Sequence, residues 1–148
     1  MEYMFDSKIV LKVLNSYETK LIMQSIEEFD GETRFVGGCV RDLILKRPIY
    51  DIDLATTLLP NQIINALSFH NIKTVVTNIK YGTIVAVLKD QTFEITTLRR
   101  DTKCYGREAE VEFTNEWQTD ASRRDLTINA LYVDNGGNLY DYFGGVED

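Results

Sequence analysis

Apolar residues recur every three or four positions between Ser7 and Phe29, at Ile9, Val10, Val13, Leu14, Tyr17, Leu21, Ile22, Ile26 and Phe29. That spacing predicts helix with one buried stripe, divided in two near Asn15-Ser16. Asp30-Gly31 marks a turn, and Thr33 to Val36 reads as a strand. Pro60 suits a first helical position, and Ile63, Ile64 and Leu67 give the helix running to His70 one buried face. The pattern then changes to strands over Lys73 to Thr77, Thr83 to Leu88 and Thr92 to Leu98, the last two joined by a tight turn at Asp90-Gln91. In the last strand Phe93 and Ile95 share one face, and Glu94 and Thr96 share the other.

Residues 100 to 119 lose this periodicity and read as a long loop anchored by Tyr105, Val111, Phe113 and Trp117. Asp120 or Ser122 caps a predicted helix running to about Ala130, and Leu131 to Val133, Asn135-Gly136-Gly137 and Leu139 to Tyr142 form a terminal hairpin. Helices and strands are interspersed without strict βαβ alternation, which predicts an α+β fold with a mixed sheet. The 148 residues suffice for one domain with a real core, and 44% hydrophobic residues with only two prolines point to a folded chain. No apolar run reaches membrane-spanning length, and Met1 to Asp6 lacks a basic region followed by an apolar core, so a cytoplasmic protein without a membrane partner is expected.

The formal net charge of −7 argues against strong binding of long RNA by this chain alone, since such affinity rests on Lys and Arg neutralising phosphates. Cations nevertheless cluster at Arg99-Arg100 and Arg123-Arg124, a pattern suited to a small anion such as a nucleotide. Cys39 and Cys104 have no Cys or His neighbour at metal-ligand spacing and read as reduced thiols; His70 reads as a helix-end residue.

The chemistry concentrates in Gly37-Gly38-Cys39-Val40-Arg41-Asp42 and Asp51-Ile52-Asp53. Glycines let a backbone approach a polyphosphate closely, and a helix from Val40 to Leu45 would offer it unpaired N–H groups. A strand over Asp51 to Ala55 puts Asp51 and Asp53 on one face, two hard oxygen ligands of the kind Mg²⁺ takes. An Asp-x-Asp alone is also a common solvated strand end; the glycine loop just upstream favours the metal reading. Glu94 either joins these two carboxylates or faces solvent.

Together with Glu94-Ile95-Thr96-Thr97-Leu98-Arg99 and Arg123-Arg124-Asp125-Leu126-Thr127-Ile128-Asn129-Ala130-Leu131, these segments resemble the head domain of the bacterial tRNA nucleotidyltransferase and poly(A) polymerase family, over about residues 30 to 148. Lys46, Tyr50 and Leu126 depart from the usual family residues. The resemblance implies the nucleotidyltransferase fold shared with the DNA polymerase beta superfamily. It implies template-independent addition of nucleotides from CTP or ATP to RNA 3′ ends, foremost CCA addition to tRNA, with poly(A) synthesis or a non-catalytic nucleotide-binding module as alternatives. Asp51 and Asp53 would hold two Mg²⁺ ions with Glu94 as third catalytic carboxylate. Gly37 and Gly38 would lie against the triphosphate, Asp125 at the ribose hydroxyl with Arg124 beside it, and Arg41 and Asn129 would complete the nucleotide site. For Arg41 and Asp42, an ion pair bracing the loop is an equal alternative. The stretch from Asp101 to Trp117 corresponds to the family's flexible loop, and Asp141 to Gly145 to its hinge. On this basis residues 1–148 form one head domain, with a helical N-terminal segment at 1–29, a catalytic core at 30–148, and neither neck nor body.

Overall fold

The computed structural model describes residues 2–4, 16–44, 52–89, 91–105, 108–124 and 130–144. A mixed sheet runs, edge to edge, through β1 (Glu2–Met4), β10 (Asn138–Asp141), β9 (Leu131–Val133), β2 (Thr33–Val36), β3 (Ile52–Thr56), β6 (Gln91–Thr97), β5 (Thr83–Leu88) and β4 (Lys73–Asn78). β3 and β6 pair in parallel, while the other described neighbours are antiparallel. This is the α+β arrangement with flanking helices that the element pattern predicts.

Helix α1 (Tyr17–Glu28) starts where the apolar stripe was expected to break, because the Ser16 hydroxyl accepts a hydrogen bond from the Thr19 backbone N–H. The stripe's first half, residues 7–15, lies outside the described residues. α1 and α3 (Pro60–Phe69) end alike: Asp30 and Asn71 take positive φ, and the N–H groups of Gly31 and Ile72 reach back to the carbonyls of Ile26 and Leu67. Both closures satisfy carbonyls that the helix would otherwise leave unpaired. His70 caps α3 at its C-terminus and bonds Glu28 on α1, as its helix-end reading implied.

The sheet has two unlike faces. Ile52, Leu54, Phe93 and Ile95 pack one of them against Ile22 and Ile26 of α1, Val40 of α2 (Gly38–Ile44), and Ile63 and Leu67 of α3. Each such side chain contributes about 1.5–3 kcal/mol when fully buried. On the other face Val36, Ala55, Leu98 and Tyr132 pack against Trp117 and Ala121 of the short helix α4 (Trp117–Ser122). The side chains of Asp53 and Glu94 belong to this second, less covered face by strand alternation.

Three expectations change. The segment read as a long loop is a two-stranded hairpin, β7 (Arg99–Tyr105) with β8 (Glu108–Phe113), followed directly by α4. β7 is mostly polar and does not alternate, although β8 places Ala109, Val111 and Phe113 at every second position, and Arg100 pairs with Glu112 across the hairpin. Phe113 docks the hairpin's base on the sheet over Gly82, where φ is +76° and a Cβ would sit 2.8 Å from the Phe113 ring. Asp120 and Ser122, expected as caps of a helix running to about Ala130, instead lie inside α4, which starts after Glu116 and has Arg123 as its C-cap; residues 125–129, where most of the expected helix falls, lie outside the described residues. Finally, Leu88 pairs with Gln91, so the β5–β6 turn is centred one residue earlier than expected, with Asp90 outside the described residues.

Candidate active site

Two strands that need not be neighbours in sequence bring the carboxylates together. In the parallel β3–β6 pair Asp53 is the register partner of Glu94, so both side chains leave the same face of adjacent strands, about 4.8 Å apart in the hydrogen-bonding direction. The register is pinned beyond the carboxylates: the Leu98 N–H donates to the Thr56 carbonyl, and the buried Thr97 hydroxyl donates to the Leu58 carbonyl at 2.7 Å. Glu94 thus stands beside Asp53 on the neighbouring strand, with its side chain exposed.

Gly37 closes the other side. It follows β2 with φ +73°, and a Cβ there would lie 3.6 Å from Asp53 Oδ2, so a larger residue would be both strained and pushed toward the carboxylate. Cys39 fastens this turn to β3, its thiol donating to the Val36 carbonyl and, at 3.6 Å, to the Asp53 backbone carbonyl. Burial pushes the Cys39 thiol up to about 11 against smaller effects from those hydrogen bonds, which keeps it protonated. It is the reduced, structural thiol the sequence suggested.

Gly38 begins α2, and Arg41 folds back so that a Cβ on Gly38 would meet its guanidinium at 3.4 Å; the same guanidinium pairs with Asp42. The brace reading of Arg41 and Asp42 is therefore the one present in the described geometry. Asp51, Asp125 and Asn129 lie outside the described residues.

Asp53, Glu94 and Gly37 open onto a cleft of about 270 Å³ that is also lined by Arg99, Arg123 and Arg124. Two separate cationic dipeptides of the sequence thus contribute to one wall. Arg100, by contrast, turns away to Glu112. The wall is assembled on Asp120, which is 1% exposed. Its Oδ1 accepts from the Arg99 backbone N–H at 3.0 Å and from Arg123 Nε at 3.2 Å; its Oδ2 accepts from Arg124 Nη2 at 3.2 Å and from the Tyr132 hydroxyl at 2.6 Å. Burial alone would raise the Asp120 carboxyl, but Arg124, Arg123 and these hydrogen bonds outweigh it and hold it below the usual carboxylate range. Burial, then the Asp120 charge, pushes the Tyr132 phenol upward, so it stays a donor. Arg99 is lowered by its own burial and by the nearby Arg123.

The sign of the Asp120 shift gives a pH prediction. Its folded-state value lies below the unfolded value of about 3.9, so its stabilisation is complete above about pH 4 and is lost as the pH falls toward the folded value. The urea midpoint of the wild-type chain should therefore fall more steeply between about pH 5 and pH 3 than that of Asp120→Asn. Equal slopes would remove Asp120 from the acid transition.

Asp120 was not singled out as a site residue by sequence reasoning, and Arg99 and Arg123 only as parts of charged clusters. Their signal was the i, i+3 and i, i+4 spacing of Asp120, Arg123 and Arg124, legible only once the helix is known to start at Trp117. As to metals, the donor set suits a hard dication: side-by-side carboxylates and no imidazole or thiolate facing the cleft. Among the described residues no group of three potential ligands gathers, the third expected carboxylate being Asp51.

A mixed sheet with flanking helices that carries neighbouring carboxylates beside a glycine turn defines a nucleotidyltransferase fold. The chain belongs to the poly(A) polymerase head domain family, whose pattern matches residues 33–148. It is 43% identical to the human mitochondrial CCA tRNA nucleotidyltransferase 1 over 99% of its own length and 35% of that protein's. With the CCA-adding enzyme of Enterococcus faecalis it shares 38% identity, covering 88% of this chain and 32% of the relative. The crystal structure of the Bacillus stearothermophilus CCA-adding enzyme in complex with CTP superposes with a TM-score of 0.76 at 37% identity, over 88% of this chain and 31% of that one. The chain thus spans about a third of the length of the relatives it matches. Nucleotidyltransferases of this kind use divalent metal ions. Among the described residues no helix is long and apolar enough to cross a membrane.

Proposed function

We propose that this chain is the head domain of an enzyme that adds nucleotides from CTP and ATP to the 3′ end of tRNA, rebuilding its CCA terminus. The observation that carries this reading is the in-register pair Asp53 and Glu94 lining one cleft together with Arg99, Arg123 and Arg124. A site that gathers carboxylates and guanidiniums around one cleft suits a ligand that is itself a dication bound to a polyphosphate. The relatives' CTP complex and tRNA-directed names supply the substrates in this proposal.

Asp53, with Asp51 two residues before it in the sequence, would hold two Mg²⁺ ions, and Glu94 would stand beside them. When bound, such ions supply a lowered hydroxyl pKa and neutralise charge on the triphosphate. The chain's own groups do the placing. Gly37 leaves room for a phosphate beside Asp53, and Arg124 and Arg99 offer donors to anionic oxygens in the same cleft. Asp125 is assigned to the ribose hydroxyl, with Gly38, Arg41 and Asn129 at the edge of the same nucleotide site. The division into an N-terminal segment before residue 30 and a catalytic core after it, and a cytoplasmic setting, belong to this proposal.

The test is transfer itself. Incubated with Mg²⁺, labelled CTP or ATP and a tRNA lacking its 3′-terminal nucleotides, the protein should place C before A on the tRNA and stop when the terminus is complete, and chelation with EDTA should end the reaction. Unlimited A addition to unrelated RNA would assign poly(A) synthesis instead. Saturable nucleotide binding without any transfer, by this chain and by a longer form carrying more of the relatives' length, would mark a binding module.

A further inference from the structure

We infer that Asp120 is a positioning residue: its buried carboxylate gathers Arg99, Arg123 and Arg124 into a single prearranged wall that receives the polyphosphate. The inference rests on the proposed nucleotide reading of the cleft and deepens it, because nothing in the carboxylate side of the site requires Asp120.

Geometry carries the argument. Each carboxylate oxygen of Asp120 accepts two hydrogen bonds, from Arg99 N and Arg123 Nε on Oδ1 and from Arg124 Nη2 and the Tyr132 hydroxyl on Oδ2. The acceptor capacity of the group is filled. The arginines are not: a guanidinium has five N–H donors, Asp120 engages a single nitrogen on each of Arg123 and Arg124, and the buried Nε atoms of Arg99 and Arg124 have no hydrogen-bond partner. Arg99, whose Nη1 also donates to the Tyr81 carbonyl, lines the same cleft as Arg123 and Arg124.

The charge balance points the same way. The guanidiniums of Arg123 and Arg124 share one buried carboxylate, Arg99 adds a third positive charge while bonding Asp120 only through its backbone N–H, and the repulsion shows in Arg99, which burial and Arg123 both disfavour in its charged form. An incoming anion relieves that repulsion, so the wall is built to accept more negative charge than Asp120 supplies. Buried ion pairs of this kind add little net stability compared with apolar packing, so stability alone does not account for the cluster. What Asp120 does provide is order: long arginine side chains fixed before the ligand arrives lose less freedom on binding.

Inorganic tripolyphosphate is the probe, titrated calorimetrically into the full chain with Mg²⁺ present, alongside Mn²⁺ titrated alone. Wild type should bind both. Asp120→Asn, which keeps size but reverses one hydrogen-bond polarity against Arg124, should weaken tripolyphosphate binding at least about tenfold and flatten its salt dependence, while Mn²⁺ affinity stays within about twofold because Asp53 and Glu94 are untouched. Equal tripolyphosphate affinity in wild type and variant overturns the positioning role and leaves the proposed function standing. Equal weakening of Mn²⁺ and tripolyphosphate also overturns it, since that is general damage. Absence of tripolyphosphate binding by wild type overturns the nucleotide reading and this inference together. Should Asp120→Asn not fold, Tyr132→Phe carries the test: losing one donor to Oδ2, it should weaken tripolyphosphate about threefold with Mn²⁺ unchanged, and unaltered affinity overturns the role.

Discussion

Asp53→Asn should cut Mg²⁺-dependent nucleotide transfer by about a thousandfold or more while the protein stays folded, because a loss of about 4 kcal/mol of transition-state stabilisation corresponds to that factor. The side chain is half-buried at the edge of the cleft, outside both hydrophobic clusters, so its replacement by an amide of equal size leaves the packing intact. What it removes is one of the two negative charges that stand in register on β3 and β6. An amide oxygen is a much poorer ligand for a hard dication than a carboxylate. The measurement is the initial rate of label transfer at saturating CTP, paired with a thermal melt. A folded variant that transfers at the wild-type rate would take Asp53 out of the reaction.

The second large effect lies one residue from the cleft and concerns stability alone. Phe93→Ala should destabilise the fold by about 3–5 kcal/mol, since the ring is fully buried and its removal leaves a cavity as well as losing transfer free energy. Domains of this kind have a total stability of only about 5–15 kcal/mol, so the variant sits near the folding threshold. Glu94→Gln, at the next position, should change stability by no more than about 0.5 kcal/mol, because its side chain is exposed, yet it should lose transfer. Urea unfolding of both variants reads the contrast. If Phe93→Ala costs less than about 1 kcal/mol, β6 does not face the core as described.

That contrast is also where the sequence spoke most clearly. Alternation over Thr92 to Leu98 separates the core residues Phe93 and Ile95 from Glu94, and the strand over Thr33 to Val36 appears with the expected bounds, because period-two and helical spacing record burial directly. The nearness of Glu94 to Asp53 was not in the local pattern, since it depends on which strand lies next to which. The β7–β8 hairpin was hidden for a different reason: β7 shows no alternation, so the regular apolar positions Ala109, Val111 and Phe113 of β8 had no recognisable partner strand in the sequence. Asp120 was harder still. A carboxylate near a helix start reads as a cap, and only Tyr132 and the Arg99 backbone, brought from 12 and 21 residues away, turn it into a buried acceptor. Short-range chemistry is legible in the chain; the partners that redefine it are not.

The parallel pairing of β3 with β6 has a bearing on how the molecule comes into being. Asp53 and Glu94 meet only after α3, β4 and β5 have been threaded between them, and closing a loop of that length costs about 3 kcal/mol of chain entropy before any contact rewards it. No hairpin or helix that condenses early on the folding route can contain both carboxylates. The two carboxylates therefore come together only through that long-range strand pairing, not within any local element of the chain.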